Sequence, residues 1–396
     1  MRINFVLNPI VMLFFITCCS SEKNSTDDLV CINISKTFIE KEIIITDIAD
    51  VEYLYLSSDD DDYLYSGTIT YMTKNTVVVY SRTSGDILFF SKDGKPKSRF
   101  NHKGQGPEDY INAMAVIYDE ATDDVFVNRM RDILVYSSTG VYKRKITLPQ
   151  GTEVDGRIIS FDENSLFLYD LGKEFKREIR VLSGETDFVE EDNVTSFYRI
   201  SKTDGELLDY VEIPYVPIFL GIYVDGQRMS SRSKRFLVKC PEGAFLCSLE
   251  TDTIFLYRHD KSLTPVIYKT PSLTSTNPMK YLNNCLDRGQ YQFIEVCTVQ
   301  AGDEYPSVFP VTNYMRNKDT GEICCPKFLL PDYKGKEFII SPSNGFLYDS
   351  GVYFELDLFE LKQAYHDNKL SGKLMELVAS LNEDEDNNVF ILVEFK

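Results

Sequence analysis

Short runs of β-branched and aromatic residues recur along the chain, and each run ends in a polar turn. Five such segments are visible, at 87–94, 133–140, 197–205, 253–260 and 313–321. Four of them end in a glycine, and the segment that ends at Asp260 lacks one. Asp-Gly and Thr-Gly pairs supply the positive φ that a tight hairpin turn requires. The pattern therefore predicts five antiparallel hairpins.

Each predicted hairpin has further strands beside it. Residues 76–80 and 124–127 precede the first two hairpins as apolar runs, and a strand leaves every turn. The unit is thus a meander of about four strands, which is the repeating unit of a β-propeller. A pair of β-sandwiches is the competing architecture.

The spacing of the turns sets the number of units. Consecutive turns lie 46 to 65 residues apart, against about 40–50 residues for a typical propeller blade, so the longer intervals indicate insertions. Residues 41–396 have room for six blades. The sixth would use 338–341, 346–348 and 352–354 and would be closed by 389–395. Strands from both chain ends in one blade would close the ring and leave no exposed edge.

One stretch near the C-terminus has helical periodicity instead. Apolar residues recur at helical spacing at Leu358, Leu361 and Tyr365, and again at Leu374, Leu377, Val378 and Leu381. This spacing predicts two helices within about 356–381. The predicted fold class is therefore all-β, a six-bladed β-propeller with a small C-terminal helical insertion. We expect the helices to pack on one face of the ring.

Several segments resemble the six-bladed β-propeller lipoproteins of Bacteroidetes, a family broadly related to NHL-like and TolB-like propellers. The resemblance is carried by 47–56, 92–94, 102–110, 252–255 and 385–389, with Gly-Gln-Gly-Pro-Glu at 104–108 as its core. It covers nearly the whole mature chain, and the stretch around 172–193 is the most divergent. It implies a fold and an envelope location, not a reaction.

The N-terminus has the layout of a secretory signal. Arg2 precedes the apolar run 11–16, which is shorter than the roughly 20 residues that a membrane span needs. Ile16-Thr17-Cys18-Cys19 resembles the lipobox of bacterial lipoproteins. We therefore predict a signal peptide over 1–18 and lipid attachment at Cys19, with Cys18 as the alternative. Residues 19–40 are predicted to be a tether and lead-in, and the protein to be an outer-membrane lipoprotein of the cell envelope, facing the periplasm or the surface.

Composition restricts the partners. The chain has 42 Lys and Arg against 61 Asp and Glu, a formal net charge of −19. Such a negative net charge repels nucleic acid, which is therefore excluded as a partner. The predicted lipid anchor would hold the protein at the membrane, and the expected partner is an envelope protein or glycan. Seven of the nine cysteines lie beyond the signal. Their irregular spacing favours buried thiols over a disulfide scaffold, with one or two bridges as the alternative.

The glycine-rich segment gives the first candidate site. It lacks the Lys-Ser/Thr of a phosphate-binding P-loop, and a tight crossing between blades explains its glycines. Because such crossings lie near the mouth of a propeller, where ligands bind, four residues are predicted ligand contacts: His102, Gln105, Glu108 and Asp109.

Charged clusters give the remaining candidates. Arg228, Arg232 and Arg235 form a basic patch that fits an anion or an acidic protein face, with a solvated surface loop as the alternative. The acidic runs 59–62 and 383–386 fit Ca²⁺ or, as the alternative, solvated loops. No cofactor is predicted beyond this calcium alternative.

The expected function is a binding or scaffold module for a protein, peptide or glycan. No signature of a nucleophile or of a zinc hydrolase occurs in the sequence. The alternative is a metal-assisted propeller hydrolase or lyase, similar to lactonases, with its site in the central channel. Three or more carboxylates or asparagines converging on the ring axis would support that alternative.

Overall fold

Six β-sheets follow one another along the chain and form a ring. The computed structural model describes residues 29–58, 61–149, 152–154, 158–170, 194–214, 223–224, 227–228, 237–247, 251–299, 310–342, 346–348 and 351–396. The chain begins with β1 (Val30–Asn33), β2 (Glu40–Ile44), the helical turn α1 (Ile45–Ile48) and β3 (Ala49–Tyr55), before a 3₁₀ turn at Asp61–Tyr63.

Blades 1 to 3 are four-stranded meanders. Blade 1 holds β4 (Thr68–Met72), β5 (Thr76–Tyr80), β6 (Asp86–Ser91) and β7 (Pro96–Asn101). Blade 2 holds β8 (Ala115–Asp119), β9 (Asp124–Asn128), β10 (Asp132–Tyr136) and β11 (Tyr142–Thr147). Blade 3 holds β12 (Ile158–Ser160), β13 (Ser165–Tyr169), β14 (Val194–Ser201) and β15 (Leu207–Pro214). The divergent stretch 172–193 lies outside the described residues.

Blades 4 to 6 complete the ring after a small ribbon of β16 (Tyr223–Val224) and β17 (Gln227–Arg228). Blade 4 holds β18 (Leu237–Cys240), β19 (Gly243–Leu246), β20 (Thr253–Arg258) and β21 (Leu263–Thr270), and a 3₁₀ turn follows at Leu273–Ser275. Blade 5 holds β22 (Lys280–Arg288), β23 (Tyr291–Thr298), β24 (Val311–Asn317), β25 (Ile323–Leu329) and β26 (Glu337–Phe338). Blade 6 holds β27 (Phe346–Tyr348), β28 (Gly351–Leu356) and, after α2 (Leu358–His366) and α3 (Gly372–Ser380), β29 (Val389–Phe395).

The core lies between the blades. Buried apolar side chains of the described residues form six clusters, each joining neighbouring sheets. One cluster, for example, packs Val78 and Phe89 of blade 1 against Val116 and Val127 of blade 2. Since each sheet packs against neighbours on both faces, inner strands such as β9 and β13 are buried along their whole length, whereas outer strands such as β7 and β11 alternate between exposed and partly buried residues. The predicted six-bladed propeller is confirmed.

Strands from both chain ends close the ring, as predicted. The order in blade 6 is β27-β28-β29-β3, and β3 pairs antiparallel with β29 along its whole length. The placement of 338–341 in blade 6 was wrong. Phe338 pairs with Phe328 of β25 instead, because the turn after β25 returns the chain to the strand it has just left.

The N-terminal segment 30–44, which we call the strap, runs along the outside of two blades before it reaches blade 6. β1 pairs parallel with β21 of blade 4, and β2 pairs parallel with β25 of blade 5. Ile32 and Ile43 are buried against these sheets. The predicted tether and lead-in, 19–40, therefore contains β1 and the first residue of β2.

All five predicted hairpins form between the third and fourth strands of blades 1 to 5. Gly94, Gly140, Gly205 and Gly321 have φ between 72° and 85°, and Lys261 takes the same role in blade 4 with φ 70°. The turn of blade 1 also touches blade 6, because a Cβ on Gly94 would lie 1.9 Å from the carbonyl oxygen of Tyr55. A glycine is thus required there by both the turn and the blade contact.

The two predicted helices form within 356–381. Asp357 caps α2 by accepting a hydrogen bond from the Glu360 N–H at 2.9 Å, a common N-cap arrangement. Leu361 of α2 and Leu374 and Val378 of α3 are buried in the cluster shared by blades 5 and 6. Among the described residues, no helix has the length and apolar character of a membrane span.

Candidate functional site

A cavity of about 620 Å³ lies at the centre of the ring. The innermost strands of blades 1 to 4 form most of its described wall, along Thr68–Met72, 114–117, 158–161 and 237–241. Arg288 of blade 5 and Tyr353 of blade 6 contribute as well, together with His259 from the hairpin turn of blade 4. All six blades therefore reach this cavity.

Three residues of the wall, Ala115, Ile159 and Lys239, stay partly exposed, whereas Val116, Ser160 and Cys240 beside them are buried. Hydrogen bonds between blades hold the wall in place. Thr70 Oγ1 donates to the carbonyl oxygen of Val116 at 3.3 Å, and Tyr353 Oη donates to that of Ile69 at 2.6 Å.

The wall is mostly apolar, and three basic side chains lie on it. Lys239, His259 and Arg288 line it, whereas the described lining contains no carboxylate and no asparagine. The three are concentrated at one end. The innermost strands of all blades run in the same direction along the axis of the ring, so their carboxyl ends lie on the same face. Arg288 is the last residue of β22, and Lys239 is the penultimate residue of β18.

Arg288 is the most buried of the three, with 6% of its surface exposed. Its Nη1 donates to the carbonyl oxygen of Asp287 at 2.7 Å and its Nε to that of Gly351 in blade 6 at 3.4 Å. These carbonyl groups position the guanidinium. The His259 ring lies 4.9 Å from the ring of Phe161, centroid to centroid, at the same end of the cavity.

The segment 102–110 fastens blade 1 to blade 2. His102 Nε2 lies 2.7 Å from the carbonyl oxygen of Gly140, and its ring stacks on Tyr136 at 5.0 Å. The Asp109 carboxylate accepts the Gly106 N–H at 2.9 Å. A Cβ on Gly104 would come within 2.3 Å of the same carboxylate. These contacts explain the glycines structurally.

The four predicted ligand contacts of this segment lie together, with Gln105 and Glu108 exposed and His102 and Asp109 partly buried. None of them is among the residues that line the cavity. Their role as ligand contacts stays a prediction, now at the outer junction of blades 1 and 2.

Other predicted site residues fall largely outside the described residues. Cys19, Arg232 and Arg235 lie there, and Arg228 is described only as the end of β17. The acidic runs are partly described: the Asp386 carboxylate accepts a hydrogen bond from Ser58 Oγ at 2.8 Å, and Asp62 pairs with Arg99 at 2.8 Å. Within the described ranges, no group of three or more His, Cys, Asp or Glu is arranged to hold a metal ion.

The seven cysteines beyond the signal are free thiols. Five are buried, as the sequence analysis favoured, and the alternative of one or two bridges does not occur. Burial raises the pKa of the Cys240 and Cys297 thiols to about 12 and that of Cys285 well above its ordinary value. Because the thiolate is the nucleophile, these three side chains behave as small apolar residues near neutral pH.

Sequence reasoning missed the basic end of the cavity. Lys239, His259 and Arg288 come from three separate segments of blades 4 and 5, and no motif connects them. The available signal was indirect: a lysine and an arginine at the ends of apolar runs that the blade pattern places innermost.

The ring of six meanders defines the chain as a six-bladed β-propeller. Within that class, residues 20–192 match the sequence model of the DUF5128 family, described as a 6-bladed beta-propeller. The resemblance to Bacteroidetes propellers is thus confirmed for the fold. A comparison with curated proteins finds no match.

Solved structures include similar rings from Bacteroides. A Bacteroides fragilis protein, described provisionally as exported, superposes with a TM-score of 0.61 at 15% identity, covering 93% of this chain and 100% of that chain. A DUF4221 family member from Bacteroides vulgatus gives a TM-score of 0.46 at 13% identity, covering 88% and 97%. At 15% identity, the similarity to the Bacteroides fragilis structure shows a shared fold alone.

Proposed function

We propose that this protein is a lipid-anchored propeller of the cell envelope that acts as a binding module, with its ligand in the central cavity. The observation that carries the proposal is the cavity itself. Its volume of about 620 Å³ falls within the usual range for ligand sites, and a mostly apolar wall with a few polar groups is typical of them. The ligand predicted from the sequence, a protein, peptide or glycan, would reach this cavity from the mouth of the ring.

The lining favours binding over metal-assisted hydrolysis. A lactonase-like site needs carboxylate or asparagine oxygens around a cation, and the described wall offers Lys239, His259 and Arg288 instead.

The proposed location rests on the signal-like N-terminus and on the exported description of the Bacteroides fragilis relative. Ser20 to Leu29 would connect the lipidated Cys19 to β1, a link of at most about 35 Å when fully extended. Since β1 lies on the outer edge of blade 4, the anchor would hold that side of the ring nearest the membrane.

Replacing the proposed lipid carrier tests the anchor. In the Cys19→Ala protein we expect the membrane-bound form to be lost and metabolic labelling with an alkyne-tagged palmitate to disappear, because no thiol remains for acylation at that position. Cys18→Ala is the matched control and should keep both. If Cys18→Ala abolishes labelling and Cys19→Ala does not, the attachment site is Cys18. If the native chain itself takes up no label, the anchor proposal is wrong.

Filling the cavity tests the binding site. A fraction of native envelope material that contains the ligand should raise the midpoint of thermal unfolding, since ligand at 100 times its Kd adds about 2.7 kcal/mol to the free energy of unfolding. Ala115→Phe places a ring in the cavity and should remove this shift. Val141→Phe puts the same ring on an exposed outer position and should leave it unchanged. An equal shift in both variants would place the ligand elsewhere.

A further inference from the structure

The outer strands of the blades differ in how their edges are protected. An outer strand presents a row of backbone N–H and C=O groups to which another strand can add, and a covering segment or charged side chains commonly block such an edge. In blades 4 and 5 the strap covers the edge, since β1 pairs with β21 and β2 pairs with β25. On β7, β11 and β3 the exposed side chains are polar or charged, as at Lys97, Lys145 and Glu52.

Blade 3 has neither kind of protection in the part of the chain that the structure describes. Its outer strand β15 pairs with β14 and has no described strand on its other side. Leu207 and Leu208 of β15 are 47% and 37% exposed. Val211 and Ile213, further along the strand, are buried in the cluster shared with blade 4. One part of β15 is therefore fixed in the core, while another part combines an open edge with exposed apolar side chains.

The strap shows how this ring holds an added strand. Its backbone forms parallel ladders with β21 and β25, and the apolar side chains of Ile32 and Ile43 are buried on the ring. Its charges also match those of the strand that it covers, because the carboxylate of Glu40 lies 2.9 Å from Lys327 Nζ of β25. Backbone pairing, an apolar side chain facing the ring and opposite charge thus act together.

We propose that β15 is a docking edge for an extended segment of another protein, in which lysine or arginine alternates with apolar residues. In such strand addition, main-chain hydrogen bonds provide affinity and alternate side chains provide specificity. β15 contains acidic residues and no lysine or arginine, and Glu206 and Glu212 are exposed near its two ends. The docking edge lies on the outer rim of the ring, so this inference goes beyond the proposed cavity site.

Charge disfavours two occupants that the chain itself could supply. In a second copy paired through the same strand, Glu206 and Glu212 would approach their own equivalents, and like charges on facing strands are destabilising. The segment 20–28, which precedes the strap, contains three acidic residues against one lysine. A basic segment of another protein has the charge that complements the edge.

Three fluorescein-labelled peptides of eight residues, the length of β15, test the inference by fluorescence polarisation with the full mature chain. The first alternates lysine with valine, and the second alternates glutamate with valine. The third is the lysine peptide with its backbone nitrogens methylated, which keeps the charge and removes the N–H donors. We expect the first to bind at least about tenfold more tightly than either of the others, because it alone combines opposite charge with a free backbone.

Variants of exposed residues assign this binding to β15. Leu208→Lys places a positive charge on the edge and should weaken binding of the lysine peptide at least about tenfold. Val141→Lys makes a similar change at an exposed position of the blade 2 hairpin and should leave the affinity unchanged. Glu212→Gln keeps the edge apolar and should reduce the preference for the lysine peptide over the glutamate peptide several-fold.

The outcomes decide both the site and its occupant. If the methylated peptide binds as tightly as the lysine peptide, or if Leu208→Lys and Glu212→Gln behave like the native chain, attraction by the net charge of −19 explains the binding and the inference is overturned. A native dimer that Leu208→Lys converts to a monomer in sedimentation velocity would assign the edge to a second copy and would overturn it as well. Ala115→Phe, in the cavity, should bind the lysine peptide normally, so this result is independent of the test of the proposed function.

Discussion

A chain that lacks residues 1–46 is expected to fold, whereas one that lacks residues 1–57 is expected to lose its cooperative unfolding transition. The two truncations differ by β3. This strand is the outer strand of blade 6 and pairs along its whole length with β29. Leu54 and the following Leu56 are 5% and 0% exposed, and they pack against Phe390 and Leu392 of blade 6 and against residues of blade 1.

Removing β3 should lower the free energy of unfolding by more than the loss of the strand's own hydrogen bonds. Each large apolar side chain that returns to water costs about 1.5–3 kcal/mol, and β29 becomes an unpaired, mostly buried edge. Several such terms approach the 5–15 kcal/mol that typically separates folded from unfolded protein. Loss of the strap alone removes β1 and β2 and leaves the six-bladed ring intact, so a lower midpoint with a single transition is expected.

Urea denaturation followed by circular dichroism measures both outcomes. Both truncated chains lack the proposed anchor, so a difference between them reports on β3 and not on lipidation. A sharp transition in the chain that lacks 1–57 would show that the ring does not need the N-terminal strand. Loss of the transition in the chain that lacks only 1–46 would assign closure to the strap.

The hairpins were predictable because their signal is local. A strand that enters an Asp-Gly or Thr-Gly turn specifies its partner within a few residues, and even the turn without glycine formed, with Lys261 at positive φ. The closure of blade 6 was predictable on a more general ground, since strands from both chain ends in one blade leave no exposed sheet edge.

The strap and the basic end of the cavity were not predictable, because both depend on contacts between distant residues. Val30 pairs with Ile267 and Glu40 with Cys325, and a sequence of four or five residues does not specify such partners. Arg288 and His259 line the same cavity only because the ring places two blades side by side. The glycines of 104–106 were recognised, but the contacts that explain them, with Asp109 and Tyr110, are those of a crossing loop.

A buried ion pair in blade 4 should be the most sensitive polar contact of the fold. Lys269 is 0% exposed; its Nζ lies 2.6 Å from Asp252 Oδ1 and donates to the carbonyl oxygen of Pro271 at 2.6 Å. The Asp252 carboxylate also accepts the Leu273 N–H at 3.0 Å. Asp252→Asn leaves an uncompensated ammonium in the interior, and such losses cost about 3–5 kcal/mol of the free energy of unfolding.

An exposed pair of the same kind is the control. Glu40 and Lys327 lie 2.9 Å apart with both side chains largely in solvent, so Glu40→Gln should change the free energy of unfolding by at most about 1 kcal/mol. The double variant Lys269→Met with Asp252→Asn should recover much of the loss, because it removes the buried charge as well as its partner. Equal effects of Asp252→Asn and Glu40→Gln would contradict the assigned role of the pair.

The pH dependence of Asp252→Asn gives an independent test. Burial lowers the pKa of Lys269 below its ordinary value, opposed by Asp252 and reinforced by the nearby Lys280. Between the lowered pKa and 10.5, the unfolded chain binds more protons than the folded one, so the contribution of Lys269 to stability rises with pH. Because Asp252→Asn removes the group that opposes the shift, this window should extend further toward neutral pH.

Urea denaturation between pH 7 and pH 10 should then show a steeper rise in the free energy of unfolding for Asp252→Asn than for the native chain, and the rise should vanish when Lys269→Met is added. A slope that is unchanged by Asp252→Asn would contradict the assignment of Asp252 as the group that opposes the lowering of the Lys269 pKa.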